Sequence, residues 1–195
     1  MNSLFSEGVL NGRLKKGHLL TVGAEVTVVL GDILKQTDCD GLVNSANAYL
    51  IAGGGVCGAI YKAAGPELER YTRPLAPLGL GEAIASPGFE IPANLFHTRG
   101  PKYHEDPDPP ANLVRALESA VRLADDHKIR RLAVPALSMG IYGYPIDEAV
   151  PILVKTAYQL APNLSHLQEI RFTVLDAMLY QAFCEAIAVT QMNVV

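Results

Sequence analysis

Two carboxamides and a glycine triplet lie close together in this chain, in the segment Val43–Ala64, VNSANAYLIAGGGVCGAIYKAA. Asn44 and Asn47 leave the end of an apolar run. Gly53, Gly54 and Gly55 then open an Ala-rich helical segment. Bare backbone N–H groups at a helix N-terminus attract an anion, and phosphate is the usual one. Carboxamides beside them bond sugar hydroxyls without ionising. The chemistry that fits is recognition of a phosphorylated sugar, part of a nucleotide.

A second loop, Ser138–Pro145 (SMGIYGYP), offers another glycine-flanked set of amides and a hydroxyl, and it too leads toward a helix. The two loops either clamp one pyrophosphate or are unrelated strand-to-helix turns, and spacing alone does not decide between these. Asp32 follows an apolar run and suits an exocyclic amine such as that of adenine, or the cap of a short helix over Ile33–Gln36. Tyr142, between glycines, suits a sugar or ring face, or a lid on the core.

The elements that must position these groups alternate in type. Glu25–Leu30 and Gly41–Asn44 read as buried strands, and Val56–Tyr71 as helix with a break at Gly65-Pro66. Glu82–Ser86 and Asn94–Thr98 read as short strands, and the acidic, proline-rich His104–Pro110 as an exposed loop. Ala111–Asp126 has one-faced helical spacing. Arg131–Ala136 is strand, Asp147–Leu160 helix, Glu169–Leu175 strand and Tyr180–Val189 a closing helix. The pattern is that of an α/β sandwich with a largely parallel sheet. Ligands of such sheets gather beyond the carboxyl ends of the strands, where Asp32, Asn44–Gly55, Ser138–Gly143 and Asp176 all fall.

Bulk properties bound the partners. The 195 residues suit a single domain, and 49% hydrophobic content supplies a core without staples. A net charge of −4 argues against a nucleic-acid partner. The local triplet Arg13, Lys15 and Lys16 reads as a solvated turn. Cys39, Cys57 and Cys184 are odd in number and widely spaced, which suits a reducing cytoplasm and neither a disulfide framework nor a zinc site. No metal ligand set, cofactor motif, signal peptide or membrane span is read.

The motifs together resemble the macrodomain family, modules that bind ADP-ribose. GDI at Gly31–Ile33 is similar to the family's adenine-binding start, and VNSAN at Val43–Asn47 to its VNAAN signature. GGGVCGAI at Gly53–Ile60 resembles the first phosphate loop, and AAGP at Ala63–Pro66 follows as it does there. HTRGP at His97–Pro101 resembles IHxVGP, and SMGIYGYP resembles the second phosphate loop, STGIYGYP. The motifs keep family order and span a domain whose core runs from about residue 25 to 188.

The resemblance implies a three-layer α/β/α sandwich around a mixed, largely parallel sheet of six or seven strands. It implies that Asp32 and Ile33 meet adenine, with Leu175 and Asp176 beside it. Asn47 bonds the distal ribose, and Asn44 binds or only holds the loop. Gly54, Gly55 and Val56, with Ser138, Met139, Gly140, Ile141 and Tyr142, cradle the diphosphate. The partner is ADP-ribose or an ADP-ribosylated protein, with no membrane and no cofactor.

One position departs from the pattern. The subclass that deacetylates O-acetyl-ADP-ribose or removes ADP-ribose from acidic side chains reads GGGVDGAI, and here its aspartate is Cys57. A thiol of pKa about 8.5 is a poor substitute for a carboxylate base. Cys57 is a neutral filler, a thiolate made acidic by the helix N-terminus, or a side chain catalysis does not need. Asn47 and Cys57 are the candidate catalytic residues. The expectation is ADP-ribose binding with slow hydrolysis by a bound water. The competing readings are a non-catalytic reader and a phosphatase acting on ADP-ribose 1″-phosphate. A dinucleotide dehydrogenase is disfavoured, since no GxGxxG follows the first strand.

Overall fold

The computed structural model of the chain describes residues 23–194; the basic triplet Arg13, Lys15 and Lys16 lies outside the described residues. Six strands form one sheet: β1 (Glu25–Leu30), β2 (Gly41–Ser45), β3 (Ala83–Ser86), β4 (Asn94–Thr98), β5 (Arg131–Val134) and β6 (Glu169–Val174). Their order is β1-β6-β5-β2-β4-β3. All neighbours are parallel except β3, which closes the edge antiparallel to β4.

Alternation along the strands divides the core into two layers. Val43, Phe96, Leu132, Val134 and Phe172 face one side, where they pack against α3 (Pro109–Asp126), α4 (Ile146–Leu160) and α5 (Ala177–Val194). Phe172 stacks on Phe183 of α5 with ring centroids 4.6 Å apart. Leu42, Leu95 and Ala133 face the other side, against α1 (Gly55–Ala64) and α2 (Pro66–Thr72). Each buried Leu, Val or Phe stabilises the sandwich by about 1.5–3 kcal/mol through transfer from water. The result is a three-layer α/β/α sandwich around a mixed six-stranded sheet, as the resemblance implies.

Three elements, β5, α3 and α5, differ from the sequence reading by two residues or more at a boundary, each for a local reason. β5 stops at Val134 because Pro135 has no N–H to continue the ladder. α3 starts at Pro109, where a missing N–H costs nothing, and Asp108 accepts from the Ala111 amide at 3.3 Å. α5 starts at Ala177, with Asp176 accepting from the amides of Met178 and Leu179 at 2.9 and 3.0 Å.

Candidate functional site

Strands β1, β6, β5 and β2 run in one direction, so their carboxyl ends share one edge of the sheet. After β2 the chain enters α1 on one face; after adjacent β5 it enters α4 on the other. Such a divergence opens a crevice between neighbouring strands. A cavity of about 630 Å³ occupies it, lined by Asp32 and Ile33 after β1, Asn47 and Gly53–Cys57 after β2, Ser138–Tyr142 after β5, and Leu175 after β6. That volume falls within the range of small-molecule sites. A larger groove of about 900 Å³ between α4 and α5 is lined by helix side chains and lies away from the strand ends.

The two glycine turns face each other across this cavity. A Cβ on Gly54 would stand 2.5 Å from Ile141 Cδ1, so glycine permits the turns to touch. Gly55 takes φ +57, in the left-handed region that favours glycine. At the start of α1 the amides of Gly54, Gly55, Val56 and Cys57 have no acceptor among the described residues; the first partnered amide is that of Gly58, to Gly54 O at 3.4 Å. The amides of Gly140, Ile141 and Tyr142 are likewise free among the described residues. Those on either side of the second turn are bonded, Gly143 to Gly140 O and Met139 to Ala136 O. Two sets of bare donors thus border one volume. Among the described residues, Asp32 is the one formally charged side chain in the lining. An anion there would be held by main-chain dipoles rather than by lysine or arginine.

The two carboxamides divide their work. Asn47 lines the cavity and also clamps its own loop, accepting from Tyr49 N at 3.0 Å and donating to Ile51 O at 2.8 Å. One N–H of its amide has no partner among the described residues. Asn44 is fully buried and does not line the cavity. Its Nδ2 donates to His97 Nδ1 at 2.9 Å and lies 3.8 Å from Cys57 Sγ. Because that nitrogen can only donate, His97 Nδ1 accepts and its Nε2–H donates to Ser86 Oγ, 2.9 Å away. Asn44 is therefore an interior strut, not a ligand contact.

Cys57 sits in the first turn of α1, 5% exposed, and its thiol donates to Ile51 O at 3.7 Å. Burial raises its pKa, against smaller lowering by its hydrogen bond from Asn44 and by backbone amides. The helix N-terminus does not make it a thiolate; at neutral pH Cys57 is a protonated thiol.

At the opposite end, Asp32 caps the 3₁₀ turn Ile33–Lys35 through Oδ1, which accepts from Leu34 N at 2.9 Å. Its second oxygen has no partner among the described residues, so capping and recognition of an amine are compatible. Leu175, 79% exposed, forms the rim on this side. Asp176 is not among the residues lining the cavity; its Oδ1 caps α5. Sequence reasoning passed over Ser45, Ala136 and Thr173, which also line the cavity from the ends of β2, β5 and β6; position at a strand end was the available signal. The His104–Pro110 loop contributes no lining residue. Among the described residues no group of His, Cys, Asp and Glu could hold a metal ion, and no helix is long and apolar enough to cross a membrane.

Comparison with known proteins agrees with this geometry. The family model described as Macro domain matches residues 43–153. A macro domain-containing protein of Lactiplantibacillus plantarum is 38% identical over 170 residues, covering 84% of this chain and 96% of that protein. The ADP-ribose glycohydrolase of Xenopus laevis is 36% identical over 154 residues, which cover 77% of this chain but only 37% of its own length. A macrodomain mutant of Oceanobacillus iheyensis solved with ADP-ribose superposes with a TM-score of 0.80 at 32% identity, covering 85% of this chain and 92% of that one.

Proposed function

The chain belongs to the macro domain family, and from that membership we propose that it binds ADP-ribose, free or carried on a modified protein, and hydrolyses the ADP-ribosyl bond only slowly. The observation that carries this reading is the pair of unpartnered amide sets, at Gly54–Cys57 and Gly140–Tyr142, bordering one cavity. A diphosphate between them satisfies donors that otherwise face solvent. The free oxygen of Asp32 accepts from the adenine amine. The spare N–H of Asn47 bonds a hydroxyl of the distal ribose, as in O-acetyl-ADP-ribose or an ADP-ribosyl ester.

Among the described residues lining the cavity, the one carboxylate is Asp32, at the far end from Asn47, so no lining carboxylate serves as base beside Asn47. What remains is orientation of a water by the carboxamide and the ligand's own phosphate, with charge stabilised by the amides. A neutral Cys57 takes no proton from water. The same observation favours a second reading, a reader that binds ADP-ribose and releases it unchanged. Buried free thiols at Cys39 and Cys57 suit a cytoplasmic location in either case.

Calorimetric titration with ADP-ribose beside ATP and NAD tests the binding class. We expect clear preference for ADP-ribose, and equal binding of all three removes it. Release of ADP-ribose from a protein modified on Glu or Asp then separates slow hydrolase from reader.

A further inference from the structure

Beside main-chain bonds such as Gly31 N to Val174 O, the loop after β1 is tied to β6 by a side-chain cluster centred on Arg171, with Arg131 as a second cation near Asp38 and Glu169. Arg171, on β6, spends all five of its N–H donors. Nε and Nη2 donate to the two oxygens of Glu169, each at 2.8 Å. Nη1 and Nη2 donate to the two oxygens of Asp38, again each at 2.8 Å. The remaining Nη1 hydrogen goes to Gln36 Oε1 at 3.1 Å. Gln36 in turn donates from Nε2 to the carbonyl of Asp32 at 3.0 Å. Thr27 completes the cluster by donating to Glu169 Oε1 at 2.7 Å. The chain of bonds therefore runs from a clamped cation on β6, through one carboxamide, to the main chain of the residue whose side chain faces the cavity.

From this connectivity we infer that Arg171 is a positioning residue for base recognition, acting through Gln36 on the main chain of Asp32. The inference rests on the proposed binding of ADP-ribose with its adenine at Asp32. The geometry explains the division of labour at Asp32. Its Oδ1 is fixed by Leu34 N, and its carbonyl accepts from both Lys35 N and Gln36 Nε2, so Oδ2 is aimed by the turn together with the Gln36 bond rather than free to rotate with the loop. A guanidinium is suited to this task because its planar fork bridges two carboxylates and still holds a third acceptor. Lysine in its place carries the charge without the fork. The Asp38 carboxyl, held at about 2 by the Arg171 guanidinium, stays ionised at any pH where the protein is assayed, so the clamp does not relax.

The test compares ADP-ribose with its hypoxanthine counterpart, inosine diphosphate ribose, by calorimetry. Asp32 accepts from the adenine amine, whereas the hypoxanthine carbonyl opposes it, so the wild type discriminates between them. Two variants break the relay at different points: Arg171→Lys, which keeps the charge near Asp38 and Glu169, and Gln36→Met, which leaves that ion cluster intact. Each is expected to weaken ADP-ribose binding about tenfold while moving inosine diphosphate ribose less than about twofold. The double variant is expected to lose no more than either alone. Thermal unfolding checks that Gln36→Met is folded, and it decides the matter if Arg171→Lys is not. Retention of full discrimination by Gln36→Met overturns the inference. A wild type that fails to distinguish the two ligands overturns the adenine reading itself, a result visible before any variant is made.

Discussion

Replacing Cys57 by aspartate isolates chemistry from binding. The thiol is 5% exposed in the first turn of α1, borders the cavity and carries no charge at neutral pH. A carboxylate introduced there sits among the unpartnered amides of Gly54, Gly55 and Val56. Those amides and the helix dipole stabilise it by about 0.3–1 kcal/mol, up to about 2 where partly buried, which offsets part of the cost of burying it. The variant should therefore fold, with a modest fall in melting temperature. A positioned general base contributes roughly 10²–10⁴-fold. At the low end this is a hundredfold rise in release of ADP-ribose from an Asp- or Glu-linked substrate, about 2.7 kcal/mol off the barrier. Affinity for ADP-ribose should change less than about tenfold, because the diphosphate is held by backbone and not by the side chain at this position. Single-turnover release from a modified protein, with calorimetry on the same preparations, reads both quantities. Cys57→Ala serves as control and should match the wild type. A Cys57→Asp protein that folds and binds but is no faster refutes the reasoning, as does a wild type already as fast as the aspartate variant. Loss of activity in Cys57→Ala would reinstate the thiol as a catalyst.

Other consequences follow from the same geometry. Asp32→Ala should lower ADP-ribose affinity about 10- to 100-fold, the worth of a hydrogen bond to a charged group, and calorimetry should show preference over other nucleotides falling with it. Asp176→Ala should cost about 0.5–2 kcal/mol of stability as a lost cap while leaving ADP-ribose affinity unchanged, since the residue stands outside the cavity lining. Because Asp32 is the one charged side chain lining the cavity among the described residues, raising sodium chloride from about 50 to 500 mM should change affinity less than about threefold; a tenfold loss would point to a cationic side chain in the site. His97 is fully buried and its pKa is pushed down to about 4 by burial. The unfolded chain, with a histidine pKa near 6.5, binds the proton more readily. Stability from this group is therefore complete above about pH 6.5 and drains away as pH falls toward 4, by up to about 3 kcal/mol. Denaturant titrations at stepped pH, with NMR of the His97 ring, check this; a ring that protonates near pH 6.5 in the native state contradicts it.

What the sequence made legible was local. β1 is a β-branched, apolar run after its first residue, β6 alternates Ile170, Phe172 and Val174 with polar residues, and α3 repeats its apolar residues at one-faced spacing. The glycine turns were readable because residue type alone, at Gly54 and Gly55, signals close approach and left-handed backbone. Relations across the sheet were not readable. Asn44 and Asn47 are the same residue type at the end of one strand. Only the register of β2 with β4, which places Asn44 opposite His97, makes the first an interior strut. Asp176 looked like a strand-end ligand because the start of α5 was read too late, and a cap is recognisable only once its helix is located. The Arg171 cluster joins Gln36 and Asp38 to β6 through the adjacency of β1 and β6, which are separated by almost the whole described chain.

The separation of tasks in this site also explains how a cysteine is tolerated at its centre. A pocket that held its anion with lysine or arginine would respond to any nearby change of charge, since the cation's position and pKa depend on neighbours. Here the anion site is composed of main-chain amides fixed by α1, by the turn before α4 and by contact of Gly54 with Ile141. Those donors exist whatever side chain stands at residue 57, provided it is small enough for the space beside Gly53 and Asn44. Affinity and turnover are then set by different parts of one cavity. Substitution at the first turn of α1 changes the rate of chemistry with little effect on recognition, and substitution at Asp32 does the reverse.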